Sequence, residues 1–281
     1  MPVVMSSEDR HLEDLKKIIF EEGGFDPSPY SKKFLKRKIR NRMRKHDIDS
    51  FRKYANFLEE SPSECSILID AISIPVTEFF RDREVWDDFE DIVLEELISD
   101  KKDKGQKLVR VWSAGCASGE ETYSIIMSIK EFLGSNFDEL NVRVYGTDID
   151  DEALSKARKG VYTEEEVENV PKKFLKKYFE PDDGKYRVKK TLKRNLKFKK
   201  HNLIDGPEFN NFDVIFCRNM VIYFSKDSHQ IVHNRLYESL NDSGFLIIGK
   251  TEILHGKARE KLKRVTKNRI YKKPSTFPSR D

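Results

Sequence analysis

The chain has 281 residues, enough for a large core and two domains, and its 53 lysines and arginines nearly balance 49 aspartates and glutamates, so net charge points to no partner and only local clustering can. Three cysteines, Cys65, Cys116 and Cys217, form no close pair and no metal-ligand spacing, which argues against a disulfide scaffold or a zinc module and fits a reducing cytoplasm. No apolar run approaches the roughly 20 residues that span a bilayer, and the amino terminus lacks a signal-peptide pattern, so a cytoplasmic protein without membrane insertion is expected.

About the first 100 residues read as helical. Leu12, Leu15, Ile18, Ile19 and Phe20 mark an amphipathic helix ended by Gly23 and Gly24. Tyr30 to Lys45 follows with nine basic side chains, no acidic one, and Phe34, Leu35, Ile39 and Met43 at helical spacing. A solvated charged face is one reading. The other is an acidic macromolecular partner, because like charges three and four residues apart destabilise a helix and a partner would offset that. Phe51 to Leu58 and Ser63 to Ile72 are two further short helices. In the stretch Ser73 to Asp82, Pro75 interrupts helix, Thr77 can cap the next one, and Phe79 and Phe80 must bury. Arg81 stands beside those aromatics, with Glu78, Asp82 and Glu84 as possible local ion-pair partners. Arg83 to Ser99 gives an amphipathic helix, and the polar run Asp100 to Gln106 sets the domain boundary near residue 100.

Lys107 to Ser124 is the organising stretch. Alternating apolar residues (Leu108, Val109, Val111, Trp112), small residues from Ser113 to Gly119, and then acids followed by Tyr123, Ile126 and Met127 read as strand, tight turn and helix. Small residues at the carboxyl end of a strand let backbone approach a ligand, and open α/β sheets bind nucleotides at that edge. With glycines only at 115 and 119 the turn is neither a GxGxxG fingerprint nor a phosphate loop. Glu120 and Glu121 at the helix start disfavour a pyrophosphate and favour a nucleoside carrying a cation. A second strand, Val142 to Gly146, ends in Thr147 to Asp150. Asp148 is the candidate ribose acceptor, and helix capping is the alternative, which fits Asp150 better. Together these features suggest an S-adenosylmethionine methyltransferase.

The βα rhythm then breaks. Thr163 to Phe179 reads as a charged helix, Pro181 to Gly184 as a turn, and Tyr186 to Val188 and Asn195 to Lys200 as short basic strands of an inserted subdomain. The strand pattern resumes at Phe212 to Cys217 and ends in Arg218, Asn219 and, beyond them, Tyr223, again at the ligand edge. A helix, a buried strand at Gly244 to Gly249 and a last strand at Arg269 to Tyr271 follow. His229 and His233 lie four apart but lack the glutamate of HExxH, so no metal site is expected.

With those pieces in view the chain resembles the chemotaxis receptor methyltransferases, the CheR-type protein-glutamate O-methyltransferases. The resemblance rests on VTEFFRD (Val76 to Asp82), VWSAGCASGEETYS (Val111 to Ser124), GTDID (Gly146 to Asp150) and CRNMVIYF (Cys217 to Phe224), supported by HNLID (His201 to Asp205) and GKTEIL (Gly249 to Leu254). It implies an all-α amino-terminal domain over residues 1–100 and a Rossmann-like S-adenosylmethionine methyltransferase domain over 101–281, with a small β-containing subdomain inserted at about 161–200. It further implies that Thr77, Arg81, Glu120, Asp148, Asn202, Leu203, Arg218 and Asn219 bind S-adenosylmethionine; since a glutamate carboxylate is already ionised and needs only to be held in line with the methyl, Arg81 and Tyr223 are the candidates for orienting it. Lys36, Arg37, Arg40 and Arg44 would contact the acidic cytoplasmic helical bundle of methyl-accepting receptors. No nucleic acid partner and a monomeric state are expected. Two departures stand out: Pro75 replaces a common asparagine, and Thr122 replaces a proline.

Two rival readings share the features. A nucleic acid methyltransferase would use the same basic surface, but the chain lacks an NPPY-type motif and a proline-cysteine pair, and Cys116 and Cys217 read as small buried residues after strands. A cofactor-binding adaptor without turnover is favoured only by Pro75.

Overall fold

The structure, a computed structural model, describes residues 6–73 and 77–275; Pro75, one of the two departures noted above, lies outside the described residues. Contacts divide the chain into two units, Met1–Ile74 with Tyr223–Ser228, and Pro75–Ile222 with His229–Asp281.

The first unit carries helices Ser7–Gly23, Lys32–Lys45, Phe51–Glu60 and Pro62–Ser73. Serines at positions 6, 31 and 50 cap the first three by accepting the N–H of Asp9, Phe34 and Lys53. Leu12, Leu15, Ile18 and Ile19 are buried, but Phe20 is 58% exposed, because it stands about 100° round the helix from Ile19. Phe34, Leu35, Ile39 and Met43 form the buried stripe of the basic helix as expected. Tyr30 precedes that helix and pairs as an isolated bridge with Phe224, while Ser31 N–H donates to the Tyr223 carbonyl at 2.9 Å. These bonds make Tyr223–Ser228 part of the helical unit. Glu64 is buried at its centre. Burial works to raise its carboxyl, yet hydrogen bonds from Arg42, Tyr54 and His46 prevail and hold it at about 2.

The second unit opens on Arg83–Asp88, which runs through a wider π-type turn at Phe89–Leu94 into Glu95–Asp103. Val85, Trp86, Phe89, Val93, Leu94 and Leu97 from these segments join one core with Val109, Val111 and Phe216. The division therefore falls at residues 74/75 and not near 100, since the apolar stripe of this helical run is buried against the sheet.

The strands are β1 (Leu108–Ala114), β2 (Asn141–Asp148), β3 (Val161–Tyr162), β4 (Phe179–Asp182), β5 (Lys185–Val188), β6 (Leu196–Lys200), β7 (Phe212–Cys217), β8 (Leu240–Ile248), β9 (Lys263–Arg264) and β10 (Ile270–Lys272). Seven of them form one sheet in the order β6-β2-β1-β7-β8-β10-β9. Neighbours from β6 to β8 are parallel, and β10 is antiparallel to both β8 and β9. The chain leaves β1 toward β2 and later returns on its other side as β7, so the order reverses between β1 and β7. Crevices at such a reversal, outside the carboxyl ends of the strands, are where open α/β sheets take ligands.

The inserted subdomain is a three-stranded sheet, β3-β5-β4, whose hairpin turns through Asp183 (φ 46) and Gly184 (φ 73). Two expectations change here. The helix expected over Thr163 to Phe179 is confined to Lys172–Tyr178, because Pro171 can start a helix but not continue one, and Phe179 already opens β4. The basic strand at Asn195 to Lys200 belongs to the main sheet: Val144 of β2 pairs with Leu196, and Asp148 with Lys200. Its lysines mark a protected sheet edge.

Candidate active site

The turn after β1 takes its shape from three positive φ angles, at Gly115 (74), Ala117 (45) and Gly119 (94). The N–H groups of Gly115 and Cys116 both donate to the Thr147 carbonyl, at 2.8 and 2.9 Å, which ties this turn to the end of β2. Gly115 is also a point of close approach, since a Cβ there would stand 2.7 Å from Met220 Sδ in the turn after β7. Asp148 ends β2 and closes the ring of contacts. Its Oδ2 accepts Ala117 N–H at 2.8 Å and its Oδ1 accepts Asp150 N–H at 3.1 Å. Burial pushes the Asp148 carboxyl up, and those backbone donors pull it back. Asp150 does the capping instead, accepting from Glu152 and Ala153 N–H.

Adjacent acids at the next helix start face different ways, as neighbours 100° apart must. Glu120 accepts Ser118 Oγ–H at 2.8 Å, and burial raises its carboxyl to about 7. Glu121 accepts Ser113 Oγ–H at 2.7 Å, with Arg218 Nη1 at 3.6 Å. Burial raises Glu121 as well, against the Arg218 and Arg81 charges. Glu121 is thus the acid brought to Arg218, whereas the sequence reading singled out its neighbour.

Arg218, at the end of β7, has a side chain only 2% exposed. Its Nη2 donates to the Arg81 carbonyl at 3.1 Å and to Asp82 Oδ2 at 2.5 Å. Arg81 itself lies between two non-glycine residues in the left-handed region, Phe80 (φ 51) and Asp82 (φ 57), and Trp86 Nε1–H donates to its carbonyl from the other side. Two of the three local acids considered as partners for Arg81 are otherwise engaged: Lys250 pairs with Asp82 and Glu84. Among the described residues no ion pair holds the Arg81 guanidinium. Non-glycine residues at positive φ concentrate here (Phe80, Asp82, Ala117, Asn219), the kind of stored strain that clusters at functional sites.

Of the remaining candidates, Thr77 is partly buried beside the undescribed stretch. Asn202 Oδ1 accepts Ile204 N–H at 2.9 Å, leaving its amide N–H groups for a ligand, and Leu203 is buried. His201 N–H donates to the Asp148 carbonyl at 2.9 Å, so this loop continues the same edge. Asn219 has φ 58 and a buried Oδ1 without a partner, and Arg218 Nε is likewise buried and unpartnered. These orphaned atoms, the backbone cradle and the Asp148 carboxylate fit a nucleoside with a charged amino-acid tail. Among the described residues no cluster of three His, Cys, Asp or Glu side chains is arranged to hold a metal. The three cysteines are buried and free.

Tyr223 belongs to the helical unit, its ring 5.0 Å from that of Phe34. In the same unit the basic helix is less bare than its own sequence implies. Lys36 pairs with Asp9 at 2.7 Å and Glu8 at 3.3 Å, Arg40 pairs with Glu8, and Arg42 pairs with Glu64. The acids come from neighbouring helices, which periodicity within one helix cannot reveal. Arg37 and Arg44 are exposed and form no ion pair among the described residues; Arg44 donates to Asn41 Oδ1 at 2.6 Å. No described helix is long and apolar enough to cross a membrane.

Two family models match this chain: residues 75–271 match "CheR methyltransferase, SAM binding domain" and residues 10–73 match "CheR methyltransferase, all-alpha domain". The chain is 34% identical over 271 residues to a chemotaxis protein methyltransferase of Borreliella burgdorferi, covering 95% of this chain and 93% of that protein. It is 33% identical over 221 residues to chemotaxis protein methyltransferase 2 of Pseudomonas aeruginosa, covering 76% of each. A chemotaxis protein methyltransferase of Escherichia coli is 30% identical over 256 residues, covering 87% of this chain and 84% of its own.

Proposed function

The chain belongs to the CheR methyltransferase family, and from that premise we propose that it methylates glutamate side chains of chemotaxis receptors with S-adenosylmethionine as methyl donor. The observation that carries the reading is the ligand edge of the sheet, where Asp148, the strained turn around Arg81 and the unpartnered atoms of Arg218 and Asn219 come together.

Thr77, Arg81, Glu120, Asp148, Asn202, Leu203, Arg218 and Asn219 are the proposed cofactor contacts. The bound cofactor supplies a methyl group on a sulfonium cation. A glutamate carboxylate is ionised at neutral pH and is already a nucleophile, so no residue of this chain has to remove a proton. What the protein contributes is orientation and the exclusion of water, which alone can be worth several kcal/mol of barrier. Arg81, free of any described ion pair, orients the carboxylate, and Tyr223 offers a hydroxyl for the same purpose. The partner is the acidic helical bundle of the receptor, met by Arg37 and Arg44 on the exposed side of the basic helix, while Lys36 and Arg40 reach it only by giving up Asp9 and Glu8.

Incubating the protein with a receptor cytoplasmic fragment and S-adenosylmethionine, followed by peptide mass mapping, tests the reading. The expected result is one added methyl at particular glutamates and none where they are replaced by alanine. Methylation confined to other residue types would contradict it.

A further inference from the structure

Asn219 stands at φ 58, in the left-handed region that asparagine tolerates better than most side chains, and here its backbone is also held by a neighbouring group. That group is Glu252. This side chain is 3% exposed, and its Oε2 accepts Gly249 N–H at 2.6 Å and Asn219 N–H at 3.2 Å. One carboxylate oxygen therefore joins the turn after β8 to the turn after β7. Room for it depends on Gly249, where a Cβ would stand 2.8 Å from Glu252 Oε2 and 3.0 Å from Asn219 N.

A buried carboxylate carries a desolvation cost of several kcal/mol, which backbone N–H donors and the charge of Arg218 offset only in part, since burial prevails and pushes the Glu252 carboxyl up. Its second oxygen, Oε1, is buried without a partner, as is Asn219 Oδ1. An apolar side chain would fill the space more cheaply. What an apolar side chain cannot do is accept two backbone N–H groups from different turns and so fix the backbone of Asn219.

We propose that Glu252 is a positioning residue of the cofactor site, holding Asn219 in its left-handed conformation and thereby setting where the Asn219 side chain meets the cofactor. This rests on the cofactor-site reading above.

The test is equilibrium binding of S-adenosylhomocysteine, read by calorimetry on the full chain, together with the Asn219 amide resonance in 15N-labelled protein. Glu252→Ala is expected to weaken binding roughly 10- to 100-fold, the scale of losing hydrogen bonds to a charged group, and to move the Asn219 resonance. Glu252→Gln keeps an oxygen that accepts both N–H groups and is expected to recover most of the affinity. Gly249→Ala retains the carboxylate but displaces it, and is expected to weaken binding in the same direction, which keeps the test open should Glu252→Ala fail to fold. Wild-type affinity and an unmoved Asn219 resonance in folded Glu252→Ala or Gly249→Ala would overturn the proposal. The outcome is separable from the proposed reaction: Glu252-dependent binding without transfer to any receptor would sink only the reaction, and transfer that survives Glu252→Ala with unchanged affinity would sink only this inference.

Discussion

The guanidinium of Arg218 donates to the main-chain carbonyl of Arg81 at 3.1 Å, joining two arginines 137 positions apart in the chain. With its hydrogen bond to Asp82 and its nearness to Glu121, this buried side chain fixes the strained turn that presents Arg81, and it does so from the end of the strand at the sheet's reversal point.

Arg218→Ala removes the buried cation beside Glu121 and leaves Asp82 with Lys250 alone. Breaking a buried pair in this way costs about 3–5 kcal/mol, so a marked drop in thermal unfolding temperature is expected, with cofactor affinity lost in the protein that remains folded. Adding Glu121→Gln should return part of the stability. An unfolding temperature equal to wild type in Arg218→Ala would contradict the network.

Arg81→Ala removes a guanidinium that no described ion pair uses, so stability should change by less than about 0.5 kcal/mol. Turnover should fall about 100-fold, the scale of losing one charged donor at a reacting centre. Steady-state kinetics with a receptor fragment check this, and full turnover would remove Arg81 from the mechanism.

Glu120 gives a pH signature. Its carboxyl is raised to about 7 in the folded protein against 4.5 when exposed, so between those values the folded state holds a proton that the unfolded state has released. Stability therefore falls as pH rises through that window, by on the order of 3 kcal/mol at most. Glu120→Gln should flatten the slope and be relatively more stable at pH 8 than at pH 4. Denaturant titrations across that range measure it, and an unchanged slope would show that Glu120 is ionised throughout.

The basic helix divides into two groups of side chains. Arg37→Glu and Arg44→Glu should raise the KM for receptor without lowering stability, with an effect that shrinks as salt rises. Lys36→Glu and Arg40→Glu should instead destabilise the helical unit, because each places a like charge against Asp9 or Glu8. Chemical denaturation and KM measured at two ionic strengths separate the groups.

Much of this was legible in the sequence for physical reasons. Small residues between a strand and a helix locate the turn at Gly115 to Gly119, and an acid ending the next strand locates Asp148. What was hidden depends on contacts between distant segments. Nothing local distinguishes Glu121 from Glu120, since both are buried at one helix start and only Arg218 separates their roles. The edge strand Leu196–Lys200 reads as insertion because its lysines mask the apolar alternation. The helical run from Arg83 reads as part of the amino-terminal domain because a long polar connection after Asp100 imitates a domain boundary, while its apolar side is core of the second unit. Glu252 carries no signal of its own beyond a short motif; only the meeting of two turns exposes its part.

The central claim is transfer of a methyl group to receptor carboxylates. Its most direct test is labelled methyl transfer from S-adenosylmethionine to a receptor cytoplasmic fragment, with a nucleic acid control and alkaline treatment of the products. Label on the receptor that alkali releases as methanol is the predicted result, since methyl esters hydrolyse and methylated amines do not. Alkali-stable label, or label on nucleic acid alone, would contradict the account.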